Sequence, residues 1–336
     1  MSVLLLKDSD VAQALEGTDA VRGSVDTLEG AFRAFARGET SAPTFAMAGY
    51  PPSGRTFEEI EKSLNVPLGI NVPMDAMVVG IVPIARSHVT YPHSLWNFLM
   101  SYDMCNLQCI MEDETLHTYM VGGSFGLSVR WLAREDASIL GMIGSGKMAR
   151  ACLRSIAAER NLTEVRVYSP TPASREAFVN HVRDEYGIDC IAFDNPEKVV
   201  RGAHIVQCAT NAEVRGNDRV LDAEWLDEGT HVATMSRNEL GVDVAAIGRI
   251  IPSSVPQVLI TRPDWEPWKS LIANDELPTL GPDLVEIIGH GATGRTSDRD
   301  ITVFLGTNLG AQRVAIVSWV YQRALEQGLG QTWELD

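Results

Sequence analysis

The chain has 336 residues, 45% hydrophobic and 21% charged, proportions of an ordinary globular protein long enough for about two domains. Its 28 Lys and Arg against 44 Asp and Glu leave a formal net charge of -16, the wrong sign for gripping a phosphate backbone or an anionic leaflet, so no nucleic acid and no membrane is expected as a partner. The start, MSVLLLKDSDV, lacks the basic opening and long apolar stretch of a signal peptide, and five scattered cysteines suit a reducing compartment, which makes the cytoplasm the expected location.

From Asp19 to Gly38, Val21, Val25, Leu28, Ala31, Phe32 and Phe35 recur at three- and four-residue spacing ahead of a glycine, which predicts an amphipathic helix. Between Ser41 and about Leu116, apolar runs such as AMVVGIVPIA and LWNFLMSY are broken by Pro, Gly and Asn and predict strands of a sheet; helix resumes from about Gly123 to Ala133. The runs LWNFLMSY and CIMED are too apolar for an exposed sheet edge, which points to a homodimer built on this sheet. From Ala137 the pattern alternates: SILGMIG, ARACLRSIAAER, EVRVYS, SREAFVNHVRDEYG, CIAF, HIVQCAT. Strand alternating with helix predicts an α/β, doubly wound Rossmann arrangement with a parallel sheet covered on both faces. A last helix is predicted from Asn308 to Gln327, with Val314, Ile316, Val317, Val320, Tyr321 and Leu325 on its apolar stripe.

The strongest chemical motif is Gly144-Ser145-Gly146-Lys147-Met148-Ala149, directly after one strand and opening a helix. The first glycine permits the tight turn, the second lets backbone approach a pyrophosphate, and the small third residue lets helix and strand pack closely, with helix-start N–H groups facing the phosphates. The competing reading is a turn and nothing more. After the next strand the chain runs Ser169-Pro170-Thr171-Pro172-Ala173-Ser174-Arg175, with no carboxylate to take the ribose hydroxyls of NAD. Ser169, Thr171 and Arg175 instead suit the 2'-phosphate of NADP(H), unless Ser174 is only a helix cap and Arg175 only a solvated residue.

GMIGSGKMAR, EVRVYSPT, VRGAHIVQCATN, LDEGTHVATMS and LVEIIGHGATGRTSDRDITVF occur in an order and spacing that resemble the ornithine cyclodeaminase/mu-crystallin family. The resemblance implies a dimerisation and substrate domain from residues 1–133 and 306–336, an α+β unit, and a Rossmann NADP-binding domain at 134–305. It implies cofactor contacts at Ala209, Thr210, Asn211, Met235 and Ser236 besides the glycine motif, and a pocket bordered by Gly306 and Thr307. The family's three cationic positions fall on Thr44, Val82 and Val121, its acid-base Asp near Asn238, and its tail Ser and Asp on Gly306 and Arg313.

A carboxylate buried without a cation or several N–H donors costs several kcal/mol, so an amino-acid substrate held in the family's way is not expected. Should Arg237 or Arg313 have moved in to supply the lost charge, that expectation fails. His88 and His93, with Tyr91, supply candidate general acids, against the alternative of plain surface histidines, and Asn238 a hydrogen-bond donor. His117 and Tyr119 flank the lost Arg position and are expected to share a cleft with it; Trp96 joins Val82 and Val121 as apolar wall. Cys105 and Cys109 have no second ligand pair, so no metal is expected. Asp103 and Asp113 read as turn caps, and Asp283 to Glu286 as a solvated face. Two functions remain in view: an NADP(H)-dependent oxidoreductase reducing a carbonyl or imine, which the histidine- and aromatic-rich replacements favour, and a non-catalytic NADPH-binding protein comparable to the crystallin branch.

Overall fold

In a computed structural model of the chain the described residues are 2–43, 46–50, 62–85, 95–210, 220–235, 239–260, 268–306 and 310–334, without the side chains of 46, 47, 84, 85 and 260. The chain opens with β1 (Ser2–Leu6), α1 (Asp8–Ala14) and α2 (Thr18–Ala36). There follow β2 (Thr40–Ser41), β3 (Ala46–Tyr50), β4 (Lys62–Val66), β5 (Leu68–Asn71), β6 (Ala76–Ala85), β7 (Trp96–Ser101), β8 (Leu107–Glu112) and α3 (Glu114–Leu132). Strand and helix then alternate through β9 (Ile139–Ile143), α4 (Lys147–Glu159), β10 (Glu164–Tyr168), α5 (Pro172–Tyr186), β11 (Asp189–Phe193), α6 (Pro196–Val200) and β12 (Ile205–Cys208). Next come β13 (His231–Thr234), β14 (Arg249–Pro252), α7 (Val255–Ile260), α8 (Trp268–Ala273), α9 (Leu284–His290) and β15 (Thr302–Leu305), before α10 (Gly310–Gln327) and β16 (Gln331–Glu334) close the chain.

Among the described residues the first sheet runs β16-β1-β8-β7-β6-β4-β3, with β2 on β5 and β5 on β6. β7 and β8 are therefore interior strands paired on both sides, which explains their apolar runs without a partner chain and removes the edge argument for a dimer. The second sheet runs β11-β10-β9-β12-β13-β15-β14, every pairing parallel. Buried strands in such a sheet send alternate residues to opposite faces. Leu140 and Met142 of β9 accordingly join a core that continues through α3 into the first sheet, while Ile143, Val206 and Cys208 join a separate core under α6 and α8 with Val199, Val200 and Trp268. The fold is thus α/β and doubly wound beside a mixed sheet. No helix among the described residues is long and apolar enough to cross a membrane.

α3 begins nine residues before the expected start at Gly123, because its glycines are contacts and not breaks. A Cβ on Gly122 would stand 2.4 Å from the Ala151 carbonyl oxygen of α4, one on Gly126 2.8 Å from Ser155 Cβ, and one on Gly123 2.8 Å from a Leu28 methyl of α2. Their absence lets three helices close on one another, and burial on nearly every side overrides the weak helix propensity of the segment. Arginines meet carbonyls at the end of α3: Arg160 Nη2 donates to Val129 (2.7 Å), which also accepts from Ala133 N (3.1 Å), and to Ala133 just past the helix (2.9 Å), while Arg295 Nε donates to Leu132 (2.7 Å), whose carbonyl lacks an intrahelical donor. The Arg295 loop is held for this purpose, its Nη1 bonding the Asp300 carbonyl at 2.7 Å. Deeper along the helix, Ser128 Oγ lies 3.2 Å from His231 Nε2, whose Nδ1 is 2.9 Å from Thr302 Oγ1; burial holds this imidazole well below its ordinary pKa and so neutral.

α10 returns to the first sheet, packing Gly310 onto β5 at Gly69; Val314, Ile316, Val317 and Val320 are buried as expected, but Leu325 is exposed. Asp283 is not on a solvated face: it is buried, accepts from Glu286 N (3.0 Å) in a capping box for α9, and also binds Val255 N at 2.8 Å.

The glycine contacts carry opposite expectations at two helical positions. Gly122→Ala should cost about 1–3 kcal/mol by overpacking the α3–α4 contact, whereas Gly30→Ala, with nothing within 4 Å of its Cβ position on α2, should gain about 0.5–1 kcal/mol from the backbone alone. Urea unfolding of the two variants reads both, and an unchanged Gly122→Ala midpoint would contradict this packing.

Candidate active site at the ends of the parallel strands

The C-terminal ends of the parallel strands form one ledge. Past the strand ends, Gly144 N donates to Tyr168 O (2.8 Å), Ala209 N to Ile143 O (2.8 Å), Met235 N to Cys208 O (3.3 Å) and Gly306 N to Thr234 O (3.3 Å). β9 and β12 are neighbours here although β10 and β11 lie on the other side of β9, the switch point at which open α/β sheets leave a crevice. Gly144 has φ +114 and its missing Cβ would lie 2.2 Å from the Ala209 carbonyl oxygen, so both conformation and close approach require glycine. At Gly146, the N-cap of α4, the Cβ position is open, leaving room above the free N–H groups of Lys147 and Met148 for a phosphate. Ser145 is half-buried beside them. These residues fit a dinucleotide pyrophosphate.

At the end of β10, Ser169 is buried and Thr171 exposed. Arg175 is half-buried and its Nη1 donates to the Ser169 carbonyl at 2.5 Å, which folds the guanidinium back over the strand end. The N-cap of α5 is Thr171, followed by Pro172, so Ser174 lies inside the first turn and is not the cap.

The ledge is organised by a residue the sequence reading missed. Glu239 is buried and its Oε1 accepts from Thr210 N and Thr210 Oγ1, both at 2.7 Å, while Oε2 accepts from Thr234 Oγ1 (2.6 Å) and Met235 N (3.1 Å). One carboxylate thereby fixes the chain leaving β12 to the chain leaving β13. Asn211, Ser236, Arg237, Asn238 and Thr307 lie outside the described residues, as do Thr44, His88, Tyr91 and His93.

Facing the ledge is the first turn of α3, and here several expectations change. Asp113 occupies the N-cap position but makes no cap bond; its buried carboxylate accepts from Arg313 Nη1 (2.8 Å) and Asn97 Nδ2 (3.0 Å), and Arg313 Nη1 also reaches Asn97 Oδ1 (2.7 Å). Gly80 makes room: a Cβ there would meet Arg313 Cδ at 3.2 Å. Arg313 has moved into the pocket region, but its charge is balanced by Asp113. Because Glu114–Leu132 is helical, Tyr119 lies about 200° round the helix from His117. It does not share a cleft with His117 and Val121: its hydroxyl donates to the Leu15 carbonyl at 2.8 Å and its ring lies 3.6 Å beneath the Arg154 guanidinium. His117, Val121 and Phe125 instead share one face, and Phe125 meets Gly306, whose Cβ would stand 2.8 Å from the ring.

Trp96 also moves. Asn97 pairs with Gly80 and Trp96 with Ile81, so Trp96 projects from the opposite face of the sheet to Asn97, Gly80 and Val82, and cannot line one wall with Val82 and Val121. Val82 remains on the Arg313 face, half-buried. Lys147 of the glycine motif bonds Glu114 Oε1 at 2.8 Å, a surface pair that bridges α4 to α3. Cys109 is buried and Cys105 exposed, and no cluster suited to a metal ion occurs among the described residues.

Comparison with known proteins agrees with this architecture. An uncharacterized cyclodeaminase, y4tK, of Sinorhizobium fredii is 34% identical over 235 residues, 67% of this chain and 68% of that protein. The Delta(1)-pyrroline-2-carboxylate reductase of Bacillus cereus is 27% identical over 232 residues, 67% and 69% of the two chains. The solved structure of Thermococcus litoralis Delta(1)-pyrroline-2-carboxylate reductase in complex with NADH and L-proline has a TM-score of 0.84 at 22% identity, covering 98% of this chain and 99% of that one, so the fold is shared from end to end. With residues 86–328 matching the family model, the chain belongs to the ornithine cyclodeaminase/mu-crystallin family.

Proposed function

We propose that the chain is an NADP(H)-dependent oxidoreductase that reduces a carbonyl or imine in a pocket altered from its relatives', acting as a homodimer in the cytoplasm. In this reading residues 134–305 hold the dinucleotide, and 1–133 with 306–336 form the dimerisation and substrate part. The observation that carries it is the Gly144–Gly146 turn at the switch point with Arg175 folded over the end of β10 and no carboxylate there. A relative named Delta(1)-pyrroline-2-carboxylate reductase, whose named substrate is a cyclic imine, supports the reaction class. Bound NADP(H) supplies or accepts the hydride. Glycine backbone and the start of α4 hold the phosphates, Arg175 with Ser169 and Thr171 holds the 2'-phosphate, and Glu239 keeps the ledge after β12 and β13 rigid.

The substrate side differs in charge. Val82 and Val121 are apolar, and Arg313 is already paired with buried Asp113, so a substrate carboxylate entering here finds no uncompensated cation among the described residues of the cluster. This favours an uncharged carbonyl or imine.

Two measurements follow. Nicotinamide fluorescence titration should show tighter binding of NADPH than of NADH, with Arg175→Ala narrowing the gap by about 1.5–3 kcal/mol, the worth of a charged hydrogen bond; equal affinities in the wild type would remove the cofactor assignment. NADPH oxidation should be followed with pyruvate, pyrroline-2-carboxylate, cyclohexanone and dihydroisoquinoline. The uncharged pair should be the better substrates, and Val121→Arg should raise activity on the carboxylates roughly 10-fold or more, as one new charged contact would. Rapid turnover of pyrroline-2-carboxylate by the wild type contradicts the altered pocket, while silence on every compound with NADPH bound favours the non-catalytic alternative.

A further inference from the structure

His117 is not one of the residues that the family resemblance marks, yet with Glu114, which is paired to Lys147, it is a titratable side chain on the α3 face that carries Val121 and leads to Gly306. Its Nδ1 is buried and has no hydrogen-bond partner, lying 4.0 Å from Asp113 Oδ2, too far for a bond to a carboxylate already held by Arg313 and Asn97. About a third of the side chain, 32%, is exposed, and this open part carries Nε2. The ring is therefore held by its backbone and its packing, with one nitrogen beside a carboxylate and the other in the exposed part of the side chain. The charged groups that act on it come from each neighbouring element: Asp113 ahead of α3, Arg313 from α10, and Lys147 from the start of α4, itself paired with Glu114.

We propose that His117 is the catalytic proton donor for reduction, transferring a proton from Nε2 to the carbonyl oxygen or imine nitrogen of the substrate. The proposal rests on the oxidoreductase reading above. In the balanced step the substrate carbon receives the hydride furnished by NADPH, its heteroatom receives the proton from the His117 imidazolium, and the neutral imidazole left behind is reprotonated from water. NADP+ and an alcohol or amine result. In the reverse direction the neutral imidazole accepts the same proton.

The electrostatics set the pH dependence. Withdrawal from water is the largest influence and lowers the pKa of His117 below 6.5; Asp113 opposes this, and Arg313 and Lys147 reinforce it. Reduction needs the protonated ring, so kcat/KM for reduction should rise as the pH falls through that lowered value, and oxidation should be lost over the same interval.

The test compares wild type with His117→Gln and His117→Asn. NADPH affinity should stay within about 2-fold as a check on folding, since His117 makes no bond to the glycine motif. With whichever of cyclohexanone and dihydroisoquinoline the wild type reduces, both variants should lose roughly 100-fold or more in kcat/KM and the acid limb of the profile, as removal of a general acid does; titration of the substrate itself is common to all three proteins. An imidazole proton resonance absent from the variants should titrate below pH 6.5 in the wild type and shift on saturation with NADP+. Variants that keep the wild-type pH profile, or a resonance unmoved by NADP+, overturn the proposal and leave the oxidoreductase reading standing. A wild type that binds NADPH and reduces none of the compounds overturns that reading itself.

Discussion

The buried ion pair between Asp113 and Arg313 governs the arrangement around the crevice. Arg313 stands near the start of α10, the helix by which the chain returns to its first sheet; Asp113 stands at the start of α3, and Asn97 of β7 bonds both. Three elements distant in sequence are therefore tied at one point. Two charges taken out of water gain little net stability from each other, but removing either partner leaves the other unpaired at a cost of about 3–5 kcal/mol. Such a contact specifies where α10 docks more than it stabilises the fold. It also decides the chemistry nearby, because the guanidinium on the sheet face of Gly80 and Val82 is already neutralised.

α3 transmits that arrangement to the second sheet. It touches α2 through Gly123, α4 through Gly122 and Gly126, the end of β15 through Phe125 and Gly306, and β13 through Ser128 and His231. Gln312 of α10 reaches it as well, donating to Ser124 Oγ at 2.7 Å. A helix buried on almost every side has no amphipathic signature, and its register is set by which small residues meet which backbone. The same register that seats Gly122 on α4 puts His117 and Val121 on the face of Phe125, which meets Gly306, and turns Tyr119 away.

This is also where the sequence was hardest to read. The alternation from Ala137 onward and the glycine motif were legible because strand and helix periods and the turn are local properties, and the parallel sheet and the ledge at its strand ends follow from them. The start of α3 was not, since Gly122 and Gly123 look like breaks until Ala151 and Leu28 are seen against them. With strands expected only to about Leu116 and helix only from about Gly123, Tyr119 was placed in one cleft with His117, whereas residues two apart oppose each other in a helix. Trp96 failed for the related reason that a one-residue step in β7 exchanges the faces of the sheet. Asp113 looked like a turn cap and Asp283 like part of a solvated face because nothing local announces a partner 200 residues away in Arg313 or 28 away at Val255. Glu239 was overlooked beside Asn238, though a carboxylate two strands' ends could share is visible only once β12 and β13 are neighbours.

The central claim is that a family NADP(H) site faces a pocket whose cation is already paired. A crystal structure of the protein with NADP+ bound tests it most directly. The account predicts the pyrophosphate over Gly144 to Gly146, the 2'-phosphate within hydrogen-bond reach of Arg175, Arg313 still on Asp113, and the His117 ring facing the nicotinamide side of the crevice. A 2'-phosphate remote from Arg175, or an Arg313 released from Asp113 and pointing at the nicotinamide as a free cation, would contradict it.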